Sequence, residues 1–128
     1  MLNFIRSCGV IVTLSVLAWP AWAQRLQCQI IERDQVHSID TPALSSAYIA
    51  YAHDYAHFRF KPVVVTQDGA LSYVKLHVYY QTRNQPELMH IAMYTPPFVF
   101  GPSLTGVQTL YSPDKGRPFT YDCRLVQQ

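Results

Sequence analysis

At 128 residues the chain is long enough for a single domain with a buried core. Ten Lys and Arg stand against eight Asp and Glu, too even a balance for the basic patch that nucleic-acid binding requires. Nine Tyr with only two Trp and five Gly suit a β-rich surface rather than a low-complexity linker.

The first segment reads as a secretory signal. Arg6 supplies the positive end, Gly9 to Leu17 an uncharged apolar stretch, and Ala21-Trp22-Ala23 a small-residue cleavage site before Gln24. The stretch is short of the roughly 20 apolar residues a membrane span needs, so no membrane insertion is expected after cleavage. Residues 1–23 are thus a signal peptide and 24–128 one exported domain, periplasmic or extracellular. Cleavage removes Cys8 and leaves Cys28 and Cys123. Two cysteines in an oxidising compartment pair most simply with each other. A Cys28–Cys123 disulfide would close nearly the whole mature chain into one loop, worth on the order of 4–5 kcal/mol in the chain-entropy account.

Leu26, Cys28 and Ile30 alternate with Gln27 and Gln29, which predicts a first strand over 26–33. Residues 34–40 are polar and read as loop. Asp40-Thr41-Pro42 offers capping residue types followed by Pro, a helix start. Leu44, Ala47, Tyr48, Tyr51 and Tyr55 follow at helical spacing among four further alanines. A helix over about 42–55 is expected. From Phe58 the period changes to two, with Phe58 and Phe60 against His57, Arg59 and Lys61. Pro62 marks an edge position or a bulge. Gln67-Asp68-Gly69 is a hairpin turn, Leu71 to Gln81 a second alternating strand, and 83–86 another turn before Leu88 to Tyr94. The segment 95–106 is a Pro- and Gly-rich loop carrying Phe98 and Phe100. A last hairpin, 107–111 and 118–126, turns at Pro113 to Gly116.

One helix ahead of a run of strands predicts an α+β domain, the helix packed on an antiparallel sheet of five to six strands. An all-β sandwich or barrel is the alternative. The turn lengths set Phe60 opposite Leu76 and Phe58 opposite Val78, then Val78 opposite Ile91 and Tyr80 opposite Met89. The other face would then carry the rows His57–Tyr79–His90 and Arg59–His77–Ala92. A bulge at Pro62 would overturn the first of these.

Catalytic signatures are weak. His53-Asp54-Tyr55-Ala56-His57 is one methylene from the zinc-binding H-E-x-x-H pattern, but the expected helix ends too early to aim both rings at one metal. Ser103 lacks the Gly two positions on that a nucleophile elbow needs. No Gly-rich phosphate loop or C-x-x-C pair occurs. No catalytic residue and no cofactor is assigned. Tyr and Arg anchor interfaces, so Tyr55, Arg59, Tyr73, Tyr79 and Tyr94, with Phe98 and Phe100 on the loop, are the candidate binding residues. The expected function is a small non-catalytic binding protein, an inhibitor, adaptor or accessory subunit of an envelope system, whose partner is another envelope or extracellular protein. The alternative is a periplasmic metal-binding protein using His57, His77 and His90, since imidazole suits zinc or copper.

Overall fold

A computed structural model of the chain describes residues 11–12 and 24–127. The signal segment expected at 1–23 lies outside the described residues, Ile11 and Val12 apart. The described chain is almost entirely β. It comprises β1 (Gln24–Glu32), β2 (Gln35–Pro42), a 3-10 turn (Ala47–Ile49), β3 (His53–Asp54), β4 (Phe58–Gln67), β5 (Ala70–Gln81), β6 (Pro86–Tyr94), β7 (Gln108–Tyr111) and β8 (Pro118–Gln127). Two four-stranded antiparallel sheets form, in the orders β2-β1-β8-β7 and β3-β4-β5-β6.

The expected α+β architecture is therefore corrected to the all-β alternative. No helix covers 42–55. Asp40, Thr41 and Pro42 end a strand, paired with Gln27, Leu26 and Arg25 of β1. The apolar stripe that would have held a helix is split: Tyr55 packs against the core, while Tyr48 is 99% and Tyr51 73% exposed. Helix propensity at the alanines is a weak preference, and strand pairing on both sides of the segment overrides it. The polar stretch 34–40, expected as loop, is β2. It is reached through a two-residue turn, Arg33-Asp34, with φ of 52° and 59°. Both central residues at positive φ are the mark of a type I′ hairpin turn, whose usual signal is Asn-Gly. Arg-Asp hides it.

The core lies between the sheets. Leu26, Cys28 and Ile30 of β1 and Phe119, Tyr121, Cys123 and Leu125 of β8 face Phe58, Phe60 and Val64 of β4 and Val74, Leu76 and Val78 of β5 in one cluster. Period-two alternation delivers each of these to the inside. Phe119 contacts both Phe58 and Phe60, with ring centroids 5.1 and 5.9 Å apart. Cys28 and Cys123 are direct partners on β1 and β8 and form the expected disulfide. It staples neighbouring strands of one sheet.

Registers in the second sheet differ from expectation in a way that decides which residues meet. The β4–β5 turn holds two residues, Asp68 (φ 53°) and Gly69 (φ 77°), and the register shifts between Val65 and Thr66. Phe60 thus pairs with Val78 and Phe58 with Tyr80, two residues beyond the expected partners, so every side chain keeps its face. Pro62 pairs without a shift. The backbones of Val64 and Thr66 bond Leu44 on the side away from β5, and the same period turns the ring nitrogen of Pro62 outward, where β3 no longer reaches. The bulge that matters lies in β6. Tyr79 pairs with Leu88 but Val78 with His90, so Met89 is the extra residue. A one-residue slip exchanges faces.

Candidate functional site

The bulge at Met89 sorts the histidines and tyrosines. On the outer face of the second sheet the pairing gives three rows across β4, β5 and β6: Arg59–Tyr79–Leu88, Lys61–His77–Ile91 and Val63–Lys75–Met93. Tyr73, opposite Val65, extends the face. The expected rows His57–Tyr79–His90 and Arg59–His77–Ala92 do not form. His90 and Ala92 stand opposite Val78 and Leu76 and share their inner face.

Each expected site residue can now be placed. Arg59, Tyr73, Tyr79 and His77 come together on the outer face. Asp54 pairs with Arg59, Nε to Oδ1 at 2.5 Å, and that hydrogen bond holds its carboxyl below the ordinary carboxylate value. The His77 ring stacks on Tyr79 at 6.2 Å, and its Nδ1 lies 3.2 Å from the Lys61 carbonyl oxygen. Burial pushes the His77 imidazole down, the nearby charges of Lys75 and Lys61 push the same way, and the carbonyl bond opposes them.

The remaining candidates turn inward. Tyr94, Phe98 and Phe100 pack against the core, so the loop phenylalanines close one side of the sandwich. Tyr55 lies with its ring 5.0 Å from His37 and 6.0 Å from Phe119. His90 Nε2 meets the Tyr121 hydroxyl at 3.2 Å. His57 sits at the sheet end. Its N–H donates to the buried Glu32 carboxylate at 2.8 Å, and its Nε2 accepts from the Arg117 guanidinium. His57, His77 and His90 thus occupy three separate surroundings. Among the described residues no group of three His, Cys, Asp or Glu is placed to hold one metal ion.

Two other places carry polar groups. The outer face of the first sheet has a shallow trough of about 520 Å³ along Gln27, Gln29, Ser38, Asp40, Asp122 and Arg124. Its polar groups serve one another: Arg25 pairs with Asp40, Arg124 donates to Gln27, and Ser103 donates to Asp122. Ser103 has a carboxylate and no imidazole, so it lacks the base a nucleophilic serine needs. At the sheet end, Glu32 bonds the main chain of His57 rather than its ring. This ties the first hairpin to the start of β4 without assembling a carboxylate–imidazole pair.

The outer face of the second sheet differs from both. Leu88, Ile91 and Met93 are 50%, 45% and 56% exposed, and all three lie on β6, the unpaired edge of its sheet. Sequence alternation missed them because Met89 shifts the phase midway through the strand. The hint was the run Leu88-Met89-His90-Ile91-Ala92-Met93, mostly apolar on both phases, which leaves the edge-protecting Pro and charge of β6 confined to Pro86 and Glu87 at its start. No family model, no curated protein and no solved structure matches this chain. The chain forms a small all-β domain, closed by one disulfide, with a sheet face that bears half-buried Tyr73 and Tyr79 and exposed Leu88, Ile91 and Met93. Disulfides persist in oxidising, extracytoplasmic compartments, and among the described residues no helix is long and apolar enough to cross a membrane.

Proposed function

We propose that the chain is a small exported, non-catalytic binding protein that docks another envelope or extracellular protein on the outer face of β4, β5 and β6. As such it would serve as an inhibitor, an adaptor or an accessory subunit. The observation that carries this reading is the set of three rows, in which Tyr79 and His77 border the exposed Leu88, Ile91 and Met93. Tyr, Arg and Met are enriched in interface centres, and an apolar edge strand left bare invites pairing. The signal-like leader and the disulfide support export.

A Tyr79→Ala, Ile91→Ser double variant tests it. Both side chains lie on the outer face and outside the core cluster, so the variant should keep the circular dichroism and melting of the parent. Retention of envelope partners on the immobilised protein should fall at least about tenfold, as loss of two anchors implies. Unchanged retention of the same partners would remove the docking role.

A further inference from the structure

Lys61 and Lys75 occupy diagonal positions on that face, in the neighbouring pairs Lys61–His77 and Val63–Lys75. Neither takes part in an ion pair; those among the described residues are Arg25–Asp40 and Arg59–Asp54. Asp54, beside the face, is committed to Arg59, and Glu87 stands at the start of β6 opposite Tyr80, on the other phase from the row of Tyr79. Positive charge therefore lies beside the apolar strip of β6, and among the described residues no salt bridge engages Lys61 or Lys75.

We propose that the occupant of this face is an acidic polypeptide, its carboxylates engaging Lys61 and Lys75 and its apolar side chains covering Leu88, Ile91 and Met93. The inference rests on the docking role above and names the partner's chemistry. A second copy laid face to face would set Lys against Lys, and like-charge juxtaposition disfavours an interface. An anionic lipid surface gains only about 1 kcal/mol from each nearby Lys, and two free lysines give weak adhesion. Beside the face, β6 is the edge strand, with none of the described strands beyond it. Its free backbone groups bond to a polypeptide and not to a headgroup. Past the bulge, His90 to Tyr94 is a regular, uninterrupted length of that edge.

His77 adds a condition. The groups that face it are Lys61 from β4, Lys75 and Tyr79 from β5, and the apolar Ile91 from β6. Burial holds its protonation to lower pH than is ordinary for an imidazole, and once protonated it is a third cation between the two lysines. Partner glutamates stay ionised down to about pH 4.3, so acidification toward that value should tighten binding as His77 takes up its proton.

The probes are two capped peptides, one alternating Glu with Val and one alternating Lys with Val, titrated into the isotope-labelled protein and followed by amide shifts. Vesicles of phosphatidylglycerol form a third arm. The expected result is that only the Glu peptide moves the amides around Lys61, Lys75, Ile91 and Met93. Its affinity should fall about tenfold in a Lys61→Glu, Lys75→Glu variant, weaken with salt, and rise several-fold on acidification only while His77 is present (His77→Gln as control). Equal binding of the Lys peptide, shifts elsewhere on the domain, binding of vesicles alone, or a dimer closing the face in sedimentation would each overturn the proposal. In the partner-retention assay, sensitivity to Tyr79→Ala, Ile91→Ser without sensitivity to the charge reversal would sink the acidic partner and leave the docking face standing. Insensitivity to both removes the docking role and the inference with it.

Discussion

Tyr55 shows how much one side chain can be held by shape alone. Its main-chain N–H donates to the Phe58 carbonyl at 2.8 Å, yet its hydroxyl is shielded from solvent with no hydrogen-bond partner. Burial, and then the charge on Glu32, raise this phenol to about 12. A buried polar atom without a partner costs about 1–3 kcal/mol relative to a satisfied one. Tyr55→Phe is accordingly expected to be neutral or to stabilise by up to about 1 kcal/mol at neutral pH, read as a higher urea midpoint. An acid whose folded pKa lies above its unfolded one favours the fold fully below the unfolded value of about 10. That contribution is lost as pH climbs toward the folded value. The Phe variant should therefore also show a shallower alkaline loss of stability between those limits. A destabilised variant with an unchanged alkaline limb would mean the hydroxyl has a partner.

At the scale of elements, turns and bulges decide what meets what, and they are what the sequence conceals. The strands β5 and β8 were legible because their apolar residues alternate along most of their length, and β4 and β6 because β-branched and apolar residues run between Gly- or Pro-marked turns. The Cys28–Cys123 pairing was legible from the cysteine count and the leader. Neither the Arg33-Asp34 turn nor the Met89 bulge carries its usual signature residue, so β2 read as loop and His90 was assigned to the wrong face. The segment 42–55 failed for a related reason. Residues that cap helices also end strands, and which use applies depends on whether β1 is there to pair with. Of the candidate interface, Arg59, Tyr73 and Tyr79 were found by alternation, whereas Leu88, Ile91 and Met93 lay beyond a phase change.

The concealed turn can be tested by making it explicit. Arg33 and Asp34 both sit at positive φ, a region that costs most L-residues about 1–2 kcal/mol. An Arg33→Asn, Asp34→Gly variant should stabilise the domain by about 1 kcal/mol, because Asn-Gly is the favoured pair for this turn. Thermal melting reads the change directly. A lowered midpoint would show that the Arg33 or Asp34 side chain contributes more than its backbone strain costs.

For the whole molecule, two sheets share one core and the chain's first and last strands lie side by side. The disulfide links positions 95 apart in sequence, so it constrains almost the entire unfolded chain. Replacing both cysteines by Ala should cost about 3–5 kcal/mol, a large part of the roughly 5–15 kcal/mol typical of a domain. The expected readout is a urea midpoint lowered by about a third or more, with the same native spectrum in the absence of denaturant. A midpoint within experimental scatter of the parent would show that the unfolded chain is already compact enough to make the bridge redundant.

The position of that bridge also has a mechanical meaning. Gln24 and Gln127 are partners, so the two ends of the domain leave it together. A pull applied between them opens β1 from β8 like a zipper, one rung at a time. It meets Gln24–Gln127, Arg25–Val126, Leu26–Leu125 and Gln27–Arg124, and at the next rung the covalent Cys28–Cys123 link. Beyond that rung no tension passes along the strands, so the rest of the first sheet and the whole of the second, with the proposed docking face, stay unloaded when the ends are drawn apart.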